Sequence, residues 1–144
     1  MNWIYQGKPV ETLPEEVVGF VYIIWYESGQ KYIGKKLVRS ERRKKPLVGM
    51  RSNAKRMVMT EHKWQDYVGS SKEIPSDEII KTKVITHLCT NKTSMTYLEA
   101  KIMMEQNVLV DDTFYNKNIL GKFWDNCEDG VYYGQVGNQT IMEF

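Results

Sequence analysis

The chain has 144 residues, of which 42% are hydrophobic and 12% aromatic, and its formal net charge is +2. This length fits one domain over residues 1–144 with a sizeable core, and the apolar fraction excludes a disordered chain. No apolar run reaches the length of a membrane span, and the amino terminus lacks the layout of a signal peptide. Two distant cysteines indicate no disulfide framework, so we expect a protein of the cytoplasm.

The first predicted core elements form a hairpin. The stretch Gly19–Tyr26 alternates as a β-strand with at least one apolar face. Ser28-Gly29 supplies the turn, and Lys31–Gly34 returns as the second strand. The hairpin therefore places Tyr22 and Tyr32 on adjacent strands. Whether their side chains share a face depends on the register of the strands, which the sequence leaves open.

A dense cationic run overlaps the second strand and continues beyond it. Between Lys31 and Arg56 there are eleven lysines or arginines and one acid, Glu41, so the local charge is +10 and the remaining residues sum to −8. Such polarisation is typical of a surface that binds a polyanion. Because Pro46 and Gly49 interrupt the run, we expect a short helix from Ser40, a loop, and a second basic helix or strand over 53–59.

Three further elements follow. Trp64–Ser71 ends in Gly-Ser-Ser, a turn that can present backbone amides and hydroxyls. Ser76 is expected to cap a short helical turn through Ile80. Lys83–Cys89 is β-branched and apolar enough for a third core strand. The longest predicted helix runs over 94–107, with Thr93 or Ser94 as its cap.

Glu99 has an unusual position on that helix. The helical wheel places its carboxylate beside Met95, Ile102 and Met103, so we expect it to point partly inward. A carboxylate in such surroundings needs a partner, and Mg²⁺ is often held by only one or two carboxylates together with waters and substrate oxygens. Glu99 is therefore the best single candidate for a ligand of a divalent metal, Mg²⁺ first and Mn²⁺ second.

The two ends of the chain are expected to lie outside the central strands. Residues 1–18 have the composition of an edge segment that turns at Gly7-Lys8-Pro9. The last thirty residues contain Phe123-Trp124 and a Gly-Val-Tyr-Tyr-Gly stretch, and we expect a hairpin or a wrap around the core. His62 and His87 have no partner at zinc-ligand spacing, so a zinc site is not expected.

The hairpin and the downstream segments resemble the GIY-YIG nuclease superfamily. The second motif is intact as Tyr32-Ile33-Gly34, whereas the first reads Phe20-Val21-Tyr22 and matches strictly only at its tyrosine. Downstream, Tyr97-Leu98-Glu99 and Tyr115-Asn116 match the glutamate and asparagine of the superfamily. The stretch Trp64–Ser71 is similar to that of short phage-encoded, homing-type members.

The resemblance implies an α+β fold: a small, mainly antiparallel three-stranded sheet flanked by helices, here with extra terminal strands. It also implies a metal-dependent DNA endonuclease that cuts one strand per active site. Tyr22 would contact the attacking water as general base or positioner, with Tyr32 in support. Arg42 would hold the scissile phosphate, Glu99 would bind the metal, and Asn116 would fix the local geometry.

The cationic run has two expected roles. Its positive field should favour a tyrosine phenolate, since a phenol with an ordinary pKa of about 10 takes a proton only with such help or through a relay. Its side chains should also bind DNA. The resemblance implies an arginine about ten residues beyond the second tyrosine, which points to Arg42, with the nearby Arg39, Arg43, Arg51 and Arg56 as alternatives. Arginine is preferred to lysine for the scissile phosphate because it binds phosphate in a bidentate manner. The remaining predicted DNA ligands are Lys35, Lys36, Arg39, Arg43, Lys44, Lys45, Arg51, Lys55 and Arg56.

Two alternatives remain at this stage. The altered first motif favours a non-catalytic nucleic-acid-binding protein that has kept a nuclease scaffold. A protein-interaction or inhibitor module would instead use the cationic run to meet an acidic partner. The sequence does not distinguish a monomer from a homodimer, and it gives no recognition site.

Overall fold

The computed structural model describes residues 1–45, 47–49, 51 and 56–124, with only the backbone for Arg42, Lys44 and Arg56. Its elements follow one another in the order β1 (Trp3–Tyr5), β2 (Lys8–Val10), β3 (Gly19–Tyr26), β4 (Lys31–Leu37), β5 (Arg39–Lys44), β6 (Arg56–Glu61), β7 (Ile80–Cys89), α1 (Lys92–Glu105), β8 (Asn118–Ile119) and β9 (Phe123–Trp124).

The main sheet has five strands in the order β2-β1-β7-β3-β4. Its centre is antiparallel, because β3 pairs antiparallel with both β4 and β7. On the far side β1 runs parallel to β7 and antiparallel to β2. The predicted α+β fold is confirmed, with a three-stranded antiparallel centre and extra strands from the amino terminus. In the part of the chain that the structure describes, one helix rather than several accompanies this sheet.

The register of the β3–β4 hairpin decides which side chains share a face. Tyr22 lies opposite Gly34, and Ile24 lies opposite Tyr32. Because directly opposed residues project from the same side of a sheet and alternate residues share that side, Tyr22 and Tyr32 are on one face. The question that the sequence left open is thus settled in favour of a shared face.

The two faces of the sheet carry separate cores. One face holds an aromatic cluster, in which the Trp3 ring lies 5.0 Å from both Phe20 and Tyr22 in edge-to-face geometry. Trp64 closes this cluster from the loop after β6 and is itself buried. The opposite face packs against α1, where Ile33 meets Ala100 and Met103.

The amino-terminal segment is more deeply built into the fold than expected. Trp3 has no exposed surface, and its indole Nε1 donates to the carbonyl oxygen of Trp64 at 2.9 Å. β1 is therefore an interior strand, and β2 occupies the edge on this side of the sheet. The predicted edge segment is correct for Lys8–Val10 and wrong for Trp3.

The helix α1 begins earlier than predicted. Its cap is Asn91, whose side chain accepts a hydrogen bond from the backbone N–H of Ser94 at 2.8 Å. The predicted cap residues, Thr93 and Ser94, lie inside the first turn instead. Asparagine is as good a cap as serine or threonine, so composition alone did not separate them.

The helix predicted from Ser40 is wrong, because Arg39–Lys44 forms β5 and pairs antiparallel with β6. A helix would set Arg39 close to Arg42 and Arg43 on one surface, which is unfavourable for like charges. The ribbon instead sets Arg39 opposite Glu61. The strand alternative for 53–59 is confirmed from Arg56 onward, and residues 53–55 lie outside the described residues.

Two smaller predictions also need revision. The helical turn after Ser76 is wrong, since the chain makes only a turn there, closed by a 3.2 Å hydrogen bond from Glu78 N to Pro75 O, before β7 begins at Ile80. Near the carboxyl end β8 and β9 form the expected hairpin, with Ile119 opposite Phe123. Residues 125–144 lie outside the described residues. No described helix has the length and apolarity needed to cross a membrane.

Candidate active site

Tyr22 and Tyr32 form the centre of the candidate site. Their ring centroids lie 6.3 Å apart, and Tyr22 is only 1% exposed. The Tyr22 ring leans across Gly34 on the neighbouring strand: a Cβ atom there would collide with the Tyr22 hydroxyl and lie 2.6 Å from its Cζ. The glycine that ends the second motif is therefore required by the tyrosine that ends the first.

Tyr67 is a third tyrosine at this site, which the sequence analysis did not single out. Its ring lies edge-on to Tyr22 at 5.9 Å, and its hydroxyl donates to Ser70 Oγ at 3.2 Å. Gly69, at φ +94, follows in the same loop, where a Cβ would lie 3.8 Å from the Tyr22 hydroxyl. In the sequence, Tyr67 is marked only by its place in Trp64–Ser71, a stretch that resembles the family.

The loop that carries Tyr67 is held from beneath by a buried lysine. Lys83 is 2% exposed, and its ammonium donates to the carbonyl oxygens of Gln65 at 3.0 Å and Tyr67 at 3.1 Å. It also lies 4.5 Å from the ring centroid of Trp3. Burial lowers the pKa of Lys83, and Asp66 opposes that shift. Lys83 therefore ties the tyrosine-bearing loop to β7.

Lys35 and Lys36 leave β4 on opposite faces. Lys36 places its ammonium 4.6 Å from the ring centroid of Tyr67, on the tyrosine face. Lys35 donates to Thr96 Oγ1 on α1 at 2.8 Å. Both predicted DNA ligands thus lie beside the site, and Lys35 is held in place by the helix.

Glu99 enters from α1 as predicted. Its carboxylate is half-buried, and burial raises the pKa of Glu99 while nearby Lys35 lowers it. Among the residues that the structure describes, no side chain hydrogen bonds to this carboxylate. A carboxylate removed from water without such a partner is suited to hold a cation.

One cavity lies at the open edge of the sheet, and several of the side chains described above line it. It has a volume of about 620 Å³ and is polar, and it is bordered by β4, by α1, by the segment after Asp111 and by the loop at 71–73. The edge position of β4 explains how side chains from both faces reach one space. The predicted site residues that line it are Tyr32, Lys35, Glu99 and Asn116.

Asn116 fixes the strand on which Tyr32 lies. It is 5% exposed, and its side chain accepts from Ile33 N at 3.0 Å and donates to Ile33 O at 2.8 Å. Just before it, Lys31 exchanges backbone hydrogen bonds of 2.8 Å with Thr113 and Tyr115. The amide of Asn116 thus continues an edge pairing that the backbone begins.

The expected phenolate is not favoured in this protein. Burial raises the pKa of Tyr32 to about 12, with Tyr67 and Glu99 adding to the shift. Burial raises the pKa of Tyr22 still further, and again Tyr67 contributes. The prediction that the cationic run would lower these values is wrong, because burial and the neighbouring tyrosine and glutamate side chains raise both pKa values. Both tyrosines are neutral phenols at neutral pH.

Arg42 and its neighbours lie on the β5–β6 ribbon, away from the main sheet. The backbone of Arg42 is opposite Val58, and its side chain lies outside the described part of the structure. The same holds for the side chains of Lys44 and Arg56, and Lys55 lies wholly outside the described residues. Three other predicted DNA ligands are exposed to solvent, namely Arg43, Lys45 and Arg51.

Arg39 has a structural role instead. Its guanidinium donates to the carbonyl oxygens of Leu13, Pro14 and Val17 at 2.7 to 3.2 Å and lies 3.5 Å from Glu61. The side chain is 12% exposed. These contacts join the segment before β3 to the ribbon and leave the guanidinium little freedom to meet a phosphate. We therefore do not include Arg39 among the proposed DNA ligands.

The donor set of the cavity suits a hard divalent cation. Within the described ranges no three side chains of His, Cys, Asp or Glu cluster, so an all-protein metal cage is not present there. Glu73 lines the same cavity as Glu99, and Asn116 adds an amide nearby. Oxygen donors with room for water are the surroundings that Mg²⁺ prefers. His62 and His87 are engaged with Ser40 and Thr86, respectively.

This fold, with tyrosines on a hairpin and a glutamate from the following helix, defines a domain of the GIY-YIG nuclease class. The family model described as "Putative endonuclease segE, GIY-YIG domain" matches residues 3–119, and the chain belongs to this family. The match includes all five predicted catalytic residues. Neither the comparison with curated proteins nor that with solved structures finds a match. Family membership supports a nuclease function.

Proposed function

We propose that this protein is a metal-dependent DNA endonuclease that hydrolyses phosphodiester bonds and cuts one strand per active site. The observation that carries the proposal is the single cavity that Tyr32, Lys35, Glu99 and Asn116 line together, with Tyr22 packed behind Tyr32. Similarity to short phage-encoded members favours a phage protein that acts in the host cytoplasm.

The tyrosines would orient the attacking water. Tyr32 lines the cavity, whereas Tyr22 does not and is almost fully buried. Tyr32 is therefore the better candidate for direct contact with the water, and Tyr22 acts as a positioning residue through its packing against Tyr32. This reverses the order that the resemblance implies. As neutral phenols, both would donate or accept hydrogen bonds rather than serve as a strong base.

Glu99 would hold the metal, and Glu73 is a second carboxylate in the lining of the cavity. When bound, Mg²⁺ would offset the charge that develops on the phosphate and acidify a water. Lys35, held by Thr96, would present a fixed positive charge to a phosphate oxygen. Arg42 remains the proposed guanidinium ligand of the scissile phosphate.

The test is nicking of supercoiled plasmid with Mg²⁺, with Mn²⁺ or with a chelator. We expect nicked circles to form before linear DNA, and only with metal. Glu99→Gln should abolish nicking while DNA binding is retained. The matched control is Glu105→Gln, which removes an exposed carboxylate from the same helix and should leave nicking unchanged. Nicking that persists in chelator or in Glu99→Gln would refute the proposed mechanism.

A second candidate is a non-catalytic DNA-binding protein. It is favoured by the strong burial of Tyr22, which keeps that phenol out of the cavity, together with the altered first motif Phe20-Val21-Tyr22. Salt-sensitive binding without nicking in either metal would support it. If about six phosphates are neutralised, affinity should fall by orders of magnitude between low and physiological salt. Absence of DNA binding would instead favour the protein-interaction module.

A further inference from the structure

The strands β5 and β6 form a two-stranded sheet of their own, which we call the basic ribbon, over Arg39–Lys44 and Arg56–Glu61. It does not join the five-stranded sheet. Sequence residues 39–56 contain eight lysines or arginines and one acid, Glu41. The two strands themselves hold five lysines or arginines and two acids, Glu41 and Glu61, so the ribbon has a formal charge of +3.

The base of the ribbon is held firmly by the main body. The backbone N–H groups of Val38 and Arg39 both donate to Val18 O, at 2.7 and 3.0 Å, and His62 N donates to Val38 O at 2.6 Å. The side chains of Ser40 and His62 are hydrogen-bonded at 2.7 Å. Together with the guanidinium of Arg39, these contacts fix the direction in which the ribbon leaves the sheet.

One face of the ribbon combines a cation with exposed apolar side chains. The register sets Arg43 opposite Met57 and Glu41 opposite Met59. Met57 is 52% and Met59 58% exposed, and Arg43 is exposed beside them. The main sheet covers neither methionine. A pair of long, flexible apolar side chains next to a guanidinium is unusual on a strand that faces only water.

The dimensions of the ribbon fit a groove of duplex DNA. Six paired residues extend for about 20 Å at a rise of about 3.4 Å each. The major groove of B-DNA, about 12 Å wide, admits a two-stranded β-ribbon. Charge complementarity favours DNA over a protein partner, because the two strands carry five cations against two acids and Lys45 follows β5 directly.

We infer that the basic ribbon enters the major groove of duplex DNA. Arg43 and Lys45 contact phosphates or base edges, and Met57 and Met59 lie against the apolar edges of bases. The ribbon thereby holds the duplex while the cavity at β4 acts on one strand. This inference rests on the proposed function for the identity of the substrate, but ribbon binding itself requires no cleavage.

The test is equilibrium binding of a fluorescent duplex in chelator, so that no strand is cut. Arg43→Gln should lower the slope of log affinity against log salt by about 1. The double variant Met57→Ser/Met59→Ser should weaken binding on the order of tenfold with the slope unchanged, because it removes apolar contact and no charge. Circular dichroism verifies that each variant is folded.

Matched controls make the same chemical changes elsewhere. Met104→Ser alters a methionine on α1 that is 50% exposed, and Lys8→Gln removes one exposed cation from β2. Neither should change duplex binding by more than about twofold, since removing one remote charge alters only weak, screened interactions. Equal effects of ribbon and control variants would overturn the inference.

Competition with small ligands identifies the groove. Methyl green, which occupies the major groove, should displace the protein from duplex DNA, and netropsin, which occupies the minor groove, should not. The reverse result would overturn the inference. The plasmid assay keeps this test separate from the proposed function, because duplex binding is measured in chelator and requires no cleavage. Loss of nicking with intact ribbon binding would count against the nuclease proposal alone.

Discussion

The hydroxyl of Tyr22 lies directly over Gly34, its partner on the neighbouring strand. A Cβ atom at position 34 would collide with that hydroxyl and would lie 3.1 Å from a ring carbon of Tyr32. The two tyrosines can therefore share one face of the hairpin only while position 34 has no side chain. The glycine at position 34 of the second motif is thus required for a steric reason.

Gly34→Ala should displace the Tyr22 ring and abolish activity. Overpacking a tight site costs about 1–3 kcal/mol, so we expect a lowered melting temperature as well. The control is Gly7→Ala, where φ is +79 and an added Cβ meets no atom within 4 Å. Gly7→Ala should also lower stability, by about 1 kcal/mol, but without loss of nicking per folded molecule. Equal activity in the two variants would contradict the steric explanation.

Asn116→Ala should destabilise the protein and reduce nicking. The substitution leaves the buried N–H and C=O of Ile33 without their side-chain partner, at a cost of about 1–3 kcal/mol for each unsatisfied group. Thermal unfolding measures the loss, with exposed Asn2→Ala as the control that should change little. Asn116→Asp should be at least as destabilising as Asn116→Ala at neutral pH, because it keeps an acceptor for Ile33 N but sets a buried carboxylate against Ile33 O. A melting temperature equal to that of the wild type would show that the pairing adds nothing.

The carboxyl of Glu99 should make stability depend on pH in a defined direction. Burial raises the pKa of Glu99 above that of the unfolded chain, so the folded state favours the protonated form. The resulting contribution of Glu99 to the free energy of unfolding is fully present below the ordinary glutamate pKa of about 4.3. It is lost as the pH rises through the raised pKa of the folded state.

In chelator, Glu99→Gln should therefore be more stable than the wild type at neutral pH, and the difference should shrink as the solution is acidified. The measurement is thermal unfolding from pH 4 to 8, with Glu105→Gln as the exposed control. Mg²⁺ should raise the melting temperature of the wild type and leave Glu99→Gln unaffected. A pH-independent difference between the two proteins would count against a desolvated carboxyl.

Tyr67→Phe should reduce nicking with DNA binding unchanged. The variant removes the hydroxyl that acts electrostatically on Tyr22 and donates to Ser70 Oγ, but it keeps the edge-on ring contact, so its cost in stability should be only about 0.5–1.5 kcal/mol. The matched control is Tyr97→Phe, which alters a tyrosine on α1 that is 65% exposed. If Tyr67→Phe and Tyr97→Phe nick plasmid equally well, Tyr67 has no part in positioning Tyr22.

Local patterns in the sequence were sufficient for much of this fold. Alternation predicted the β3–β4 hairpin, and helical spacing predicted that Glu99 would point inward. The family motifs predicted Tyr32, Glu99 and Asn116, which the structure brings to one cavity. Each of these predictions depends on residues that are near one another in the chain or on a short sequence motif of the family.

The features that the sequence did not reveal depend on distant contacts. Nothing near Lys83 in the sequence distinguishes it from an ordinary exposed lysine. It is buried because the loop that carries Tyr67 folds over it. Arg39 belongs to a basic run, yet carbonyl groups more than twenty residues away occupy its guanidinium. The sequence predicts a helix in place of the strand β5 because the partner strand β6 lies further along the chain, and their pairing leaves no local signal. The low polarity around Tyr22 arises from Trp3 and Tyr67 together, so its neutral state could not be inferred from nearby lysines.

The pairing of Asn116 with Ile33 spans 83 positions of the chain. Trp3 likewise becomes enclosed only after β1 has paired with β7. During synthesis on the ribosome, the hairpin can form early, but the cavity cannot close until the segment beyond α1 has emerged. Such long-range closure slows folding. Cutting ability should thus appear late, only in chains whose translation has passed Asn116.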